Sequence, residues 1–189
     1  MVGREQFDLA GLLGSQPMAA PVRLRPPPPP AESLCLLTSL EDVRTATRRA
    51  AGGAQRLISI YTADLEPEVY DQPAFLEIIK RFVLSRSFAK VRVLLHEPLH
   101  LIGNSNRFVA MARRLTSYIE LRVVAPAYQG RNSAMLIADD KVIVYRTRAA
   151  SWDGVAGFNQ PPVARLHRQE FDEMWVASEP DDELRVARR

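Results

Sequence analysis

Three short apolar runs, separated by segments with helical spacing, constrain the fold of this chain more than any other feature. The runs lie in "RLISIYTAD", "KVRVLL" and "IELRVVAP", and such near-continuous apolar stretches are typical of strands covered on both faces. Between the first two, Phe75, Ile79 and Phe82 recur at helical spacing, and Phe108, Ala112 and Leu115 do so between the second and third. The order strand–helix–strand–helix–strand predicts a parallel sheet with right-handed crossovers.

The region after the third run predicts a hairpin and a final helix. "SAMLIAD" and "KVIVYR" stand close together, and Asp139-Asp140-Lys141 between them is typical of a tight turn. A loop with Gly and Pro is expected over Ser151–Pro162. The last helix places Phe171 and Trp175 on one face and is expected to end before Pro180. The predicted fold class is therefore α/β, with a mixed sheet and helices on both faces.

The uneven distribution of proline predicts an N-terminal arm and one domain. Residues 1–33 are expected to form a flexible arm, since the run Pro26–Pro30 favours an extended polyproline II strut. The arm is interpreted as a spacer, with a docking motif for a partner domain as the alternative. Residues 34–189 are long enough for one ordinary domain. Its first helix is expected to begin after an N-cap at Ser39 and to stop at Gly52-Gly53.

Composition excludes several classes of protein. With 47% hydrophobic and 25% charged residues, the chain is not disordered throughout. The lone Cys35 allows no internal disulfide and no cysteine zinc cluster, and no run of 18 apolar residues could span a membrane. No metal-ligand spacing and no nucleotide-binding loop occurs, so neither metal nor cofactor is expected. A reducing cytoplasm is the expected compartment.

The candidate site follows from the rule that ligands bind beyond the carboxyl ends of parallel strands. Asp64 follows the first predicted strand, His96 follows the second, and Arg107 opens the next helix. Together with Arg122 they are the predicted polar lining of a ligand site. For each residue a purely local role, such as capping a turn, is the competing interpretation.

A second hypothesis is an enzyme of another class, a hydrolase or transferase. His96 or His167 would act as general base, with Asp64 or Glu97 as its carboxylate partner. The two hypotheses differ in geometry, because a catalytic imidazole needs a carboxylate within hydrogen-bond reach in a cleft.

The hairpin resembles the signature strand of the phospholipase D superfamily, which reads His-x-Lys-x4-Asp. In "NSAMLIADDKVIVYR", Asp139 matches the family aspartate, while Asn132 stands at the position of the histidine and Ala134 at that of the lysine. The segment Gly157–Asn159 is loosely similar to the Gly-Ser-x-Asn segment that follows. In the superfamily the histidine attacks phosphorus and the lysine neutralises phosphoryl oxygens. An amide and a methyl group can do neither.

More specifically, the span Ile58–Arg185 resembles a bacterial domain-of-unknown-function family with a degenerate phospholipase D-like architecture. The segments that carry this resemblance are "IYTADLEPEVYDQPAF", "RRLTSYIELR" and "FDEMWVASEPDDELR". It implies one half of the superfamily fold. Because such halves pack on each other through an apolar face, it also implies a homodimer.

The leading hypothesis from the sequence is therefore a catalytically silent phospholipase D-like module that binds a protein partner or a small anionic ligand. A nucleic-acid binder is a further alternative, since some superfamily members cleave DNA. The near-balanced net charge of +3 argues against it.

Overall fold

The computed structural model describes residues 34–98, 101 and 106–180. These residues form an eight-stranded mixed sheet with the order β1-β7-β6-β5-β2-β3-β4-β8. The strands are β1 Cys35–Leu37, β2 Leu57–Thr62, β3 Lys90–Leu95, β4 Ile119–Val123, β5 Ala134–Ala138, β6 Val142–Arg146, β7 Gly154–Gly157 and β8 Glu179–Pro180. The predicted α/β class with a mixed sheet is confirmed. The predicted arm, residues 1–33, lies outside the described residues.

The centre of the sheet has the predicted topology. β2 pairs with β3 and β3 with β4, both in parallel, so the three apolar runs lie side by side. The hairpin β5–β6 adds to the other side of β2, which runs antiparallel to β5. As a result, the ends of β2 and β3, the start of β5 and the end of β6 meet at one edge of the sheet, called here the carboxyl edge.

Helices cover both faces of the sheet, as the fold class requires. They are α1 Leu40–Gly53, α2 Pro67–Tyr70, α3 Pro73–Ser85, α4 Arg107–Arg114 and α5 Pro161–Ala177. Apolar residues of α1, α3 and α4 share one core with alternate strand residues such as Ile60 and Val93. Phe171, Met174 and Trp175 of α5 form the second core. Its strand residues, such as Leu94 and Ile137, alternate along the strands with those of the first core. This alternation is the period-two pattern of a strand buried on both faces.

Polar side chains cap the first turns of α1 and α4. Ser39 Oγ accepts the backbone N–H of Asp42 at 3.1 Å, which confirms the predicted N-cap of α1. Asp42 in turn accepts the N–H of Thr38, and hydrogen bonds of its carboxylate with the Ser39 side chain and the Thr38 backbone hold the pKa of Asp42 below the usual value. Asn106 Oδ1 accepts the N–H groups of Phe108 and Val109 at the start of α4.

The predicted loop over Ser151–Pro162 is wrong in part, because it contains β7 and the start of α5. β7 pairs with β6 on one side and β1 on the other, and both of its ends are glycine. A Cβ on Gly154 would lie 2.4 Å from the carbonyl oxygen of Tyr145, so only glycine allows the two strands to approach this closely. A four-residue strand of this kind has no periodicity that the sequence could reveal.

Candidate functional site at the carboxyl edge of the sheet

The carboxyl edge brings together several residues that the sequence singled out. Asp64 follows β2, His96 follows β3, and Asn132 and Ala134 stand at the start of β5. β6 ends at the same edge with Arg146, which pairs in register with Ala134. Because neighbouring strand residues point to opposite faces, these side chains divide into two groups, one on each side of the sheet.

The first group is built around a buried ion pair between Arg146 and Glu66. Arg146 Nη2 donates to Glu66 Oε1, and the two side chains are only 3% and 8% exposed. Thr62 Oγ1 donates to the other carboxylate oxygen at 3.3 Å. Arg146 Nη1 donates to the carbonyl oxygens of Ala149 at 2.8 Å and Ser151 at 2.9 Å. The guanidinium therefore has protein partners on each terminal nitrogen.

Burial is the largest cause of the pKa shifts of Glu66 and Tyr70 beside this ion pair. It raises the pKa of Glu66 above its usual value, and the attraction of Arg146 opposes that rise without overcoming it. Burial and the nearby Glu66 carboxylate also raise the pKa of the Tyr70 hydroxyl. The aromatic ring of Trp152 lies 5.0 Å from the Arg146 guanidinium and completes its surroundings.

Ala134 lies beside this ion pair. It is buried, and as the register partner of Arg146 it projects to the same face. A lysine at this position would thus extend into the space that the Arg146–Glu66 pair fills. Asn132 is exposed, and its backbone carbonyl accepts the N–H of Ala149. No imidazole and no lysine occupies either position.

The second group lies on the α5 side and centres on His96. Its ring stacks on Tyr61 with centroids 5.3 Å apart, and its side chain is 6% exposed. Nδ1 is 4.0 Å from Glu97 Oε1, beyond hydrogen-bond reach, and Nε2 is buried without a partner in the described residues. Burial lowers the pKa of His96, and it is opposed by Glu97, Asp64 and the backbone of Ser133.

The other sequence candidates are engaged locally or lie elsewhere. Asp64 Oδ1 accepts the N–H of Glu66 at 3.1 Å, which shapes the turn after β2. Arg107 is bonded to Asp71 through Nε at 3.0 Å. Arg122 faces α5, where Nη1 donates to the carbonyls of Trp175 and Ser178 and the guanidinium lies 4.3 Å from the Trp175 ring centroid.

His167 is separate from the carboxylates that the sequence paired with it. It lies on α5, stacks on Tyr145 with centroids 4.8 Å apart, and has Glu170 as its carboxylate neighbour at 3.4 Å. Glu170 also lies 3.4 Å from Arg131. His167 therefore lies in a partly exposed cluster with Glu170 of the same helix and Arg131.

Asp139 has a structural role in the turn of the hairpin. Its φ of 53° is left-handed, and its carboxylate accepts the backbone N–H groups of Gln55, Arg56 and Leu57. It thereby ties the β5–β6 turn to the start of β2, at the opposite edge of the sheet from Asn132.

The Arg146–Glu66 pair is the feature that sequence reasoning missed. The available signal was an arginine that ends an otherwise buried apolar strand, because such a cation requires a buried acceptor. Its partner is 80 positions away along the chain, so the sequence alone did not identify it.

Two further observations concern ligands and membranes. In the ranges that the structure describes, no group of His, Cys, Asp and Glu could hold a metal ion. Within the same ranges, no helix has both the length and the apolar character that crossing a bilayer requires.

Solved structures define the class of fold. Nuc from Salmonella typhimurium, a phospholipase D family member, is similar with a TM-score of 0.52 and 14% identity over 79% of this chain and 97% of Nuc. NucT from Helicobacter pylori gives 0.56 and 15% over 79% and 99%. TrmBL2, an archaeal chromatin protein with a novel mode of DNA binding, gives 0.58 and 16%, and the chain spans only 54% of its length. The fold is therefore phospholipase D-like.

A match to a protein-family model shows the family of this chain. Residues 39–187 match the family described as a domain of unknown function, DUF7931, and the chain belongs to it. The predicted resemblance to such a family is confirmed. No curated protein matches the chain.

Proposed function

We propose that this protein is a catalytically silent phospholipase D-like module that acts by binding a protein partner. The observation that carries the proposal is the register pair Ala134 and Arg146. The position of the catalytic lysine holds a methyl group, and the adjacent cation is already neutralised by Glu66. With Asn132 in place of the nucleophile, the edge lacks both the group that attacks phosphorus and the group that stabilises its charge.

The geometry of His96 favours a catalytically silent module over an enzyme of another class. A general base needs access to substrate and a partner that orients it. His96 is 6% exposed and 4.0 Å from the nearer candidate carboxylate, Glu97. Asp64, the other candidate, accepts a backbone N–H in its own turn.

The hydrogen bonds that the arginines already make favour a protein partner over a small anion. Arg107, Arg122 and Arg146 each bond to a carboxylate, backbone carbonyls or both. An anion would have to break those bonds before it gained any, which reduces its net affinity. The partner we propose is a second copy of this chain, as the sequence resemblance implies. The lone cysteine, Cys35, is exposed and suits the reducing cytoplasm proposed from the sequence.

The test of silence is a hydrolysis assay with bis(p-nitrophenyl) phosphate in the presence of a chelator. We expect no release of nitrophenol above the blank for the wild-type protein. Metal-independent hydrolysis that either His96→Gln or His167→Gln removes would refute the proposal. Calorimetric titration with inorganic phosphate is the second arm, and saturable binding there would favour the anion.

The test of the partner is size-exclusion chromatography with light scattering. A homodimer has about twice the monomer mass of 21.2 kDa. A species that remains at the monomer mass as the concentration rises contradicts the dimer and leaves silence untouched.

A further inference from the structure

The end of α3 and the connection to β3 carry a concentration of positive charge. From Ile78 to Ala89 the sequence contains three Lys and Arg residues and no Asp or Glu. Two large apolar side chains in this segment are exposed, Leu84 at 58% and Phe88 at 57%. We call the surface that they form with the neighbouring basic residues the α3–β3 surface; it comprises Lys80, Arg81, Leu84, Arg86 and Phe88.

The two apolar residues contribute little to the core. The inward face of α3 is formed by Phe75, Ile79 and Phe82, which are buried. Leu84 and Phe88 lie at the last turn of the helix and in the connection that follows, where they face solvent. A single exposed apolar residue is ordinary, but exposed apolar residues surrounded by cations indicate a binding surface.

The positive charges of this surface are largely uncompensated. Arg81 has one acidic neighbour, Glu77 at 3.9 Å, and both side chains are exposed. Arg86 donates to Gln55 Oε1, which is a neutral acceptor.

Among the described residues, those that line the adjoining hollow on the α1 side include no acid. The hollow between α1 and α3 is lined on the α1 side by uncharged residues, Gly52 and Gln55 among them. The Asp139 carboxylate near Gln55 is bonded to three backbone N–H groups. The surface therefore combines a net positive field with exposed apolar groups.

We infer that the α3–β3 surface docks the protein on an anionic lipid surface. Lysine and arginine side chains would meet lipid phosphate and carboxylate groups, while Leu84 and Phe88 would enter the boundary between headgroups and acyl chains. A nucleic acid would engage the cations equally, but it offers no apolar layer for a leucine. Charge complementarity together with Leu84 favours the lipid.

The location of this surface leaves the carboxyl edge available. α3 ends and β3 begins at the opposite edge of the sheet from His96 and Asn132. Docking would thus leave the carboxyl edge uncovered. The inference is independent of the proposed function, and either can fail without the other.

The experiment is sedimentation of the full chain with two kinds of vesicle. One kind contains phosphatidylserine and phosphatidylcholine in equal parts, and the other contains phosphatidylcholine alone. We expect binding to the mixed vesicles, weakened at high salt, and none to phosphatidylcholine. K80Q/R81Q should weaken binding about fivefold for each charge removed, and L84S/F88S by about tenfold.

Matched controls change equivalent residues elsewhere. R114Q/R165Q removes two charges from exposed arginines of α4 and α5, and L166S/V176S removes two exposed apolar groups from α5. These controls should bind vesicles like the wild type, and thermal melts should show that all four variants are folded.

Several results would overturn the inference. They are no binding to the mixed vesicles, equal binding to both vesicle types, or equal losses in the control variants. Binding to a DNA duplex that K80Q/R81Q abolishes and L84S/F88S leaves intact, without vesicle binding, would assign the surface to nucleic acid. A wild-type dimer that L84S/F88S converts to a monomer would assign it to a second copy.

Discussion

The Arg146–Glu66 pair provides the sharpest test of how the carboxyl edge is built. Glu66→Met keeps the length of the side chain and removes its charge and both acceptor oxygens, which leaves the Arg146 guanidinium buried without a counter-ion. With the two side chains 3% and 8% exposed, water cannot replace the carboxylate. Removing one partner of such a buried pair costs about 3–5 kcal/mol.

The assay is equilibrium unfolding in urea at neutral pH. With a slope of about 2 kcal/mol per molar urea, the expected loss moves the midpoint down by about 1.5–2.5 M. Glu77→Met is the matched control, because Glu77 and Arg81 are both exposed and 3.9 Å apart. Its cost should be about 0–1 kcal/mol.

A double variant separates the contribution of the ion pair to stability from that of each side chain. Burial raises the pKa of Glu66 despite Arg146, so the attraction within the pair does not repay the desolvation of the carboxylate. Glu66→Met combined with Arg146→Met should therefore be more stable than Glu66→Met alone. A loss below about 1 kcal/mol for Glu66→Met, or a double variant less stable than the single one, would refute this reasoning.

Three further predictions concern residues of the hairpin and the second strand end. Ala134→Lys should lower the free energy of unfolding by about 3 kcal/mol or more, because it places a second cation against Arg146. Asn132→His, at an exposed position, should leave urea unfolding unchanged and add no phosphodiesterase activity. His96 has a lowered pKa in the fold, so the unfolded chain binds its proton first, and stability should fall as the pH drops below about 6.5; His96→Phe should flatten that part of a pH series of unfolding curves. Asp139→Ala should cost about 2 kcal/mol in thermal or urea unfolding because three backbone N–H groups lose their acceptor, whereas Asp140→Ala, which removes a partly exposed ion pair, should cost about 1 kcal/mol or less.

The elements that the sequence predicted are those whose signal is local. The apolar runs of β2, β3 and β4 are long enough to identify, and the cap at Ser39 acts within three residues of its own position. β1 and β7 are three and four residues long and depend on each other, since Leu36 pairs with Val155. Their stability comes from residues distant in the chain, so no local window contains the information.

The same distinction applies to the candidate site. The strand-end rule placed Asp64 and His96 at the correct edge, because it depends only on strand direction. It could not assign the partners of Arg122, which are the carbonyls of Trp175 and Ser178 more than fifty positions away. Whether an arginine is available to a ligand is decided by tertiary contacts of this kind.

The buried pair also bears on the silence proposed for this edge. A methyl at position 134 and a guanidinium at position 146 are compatible because the smaller side chain leaves room for the larger one on the same face. A lysine at position 134 would place two cations beside one carboxylate, in a region where charge is poorly solvated. Arg146 and Glu66 would therefore have to change with it. Ala134 and the ion pair beside it form one packing arrangement, and Ala134→Lys alone should cost stability without adding phosphodiesterase activity.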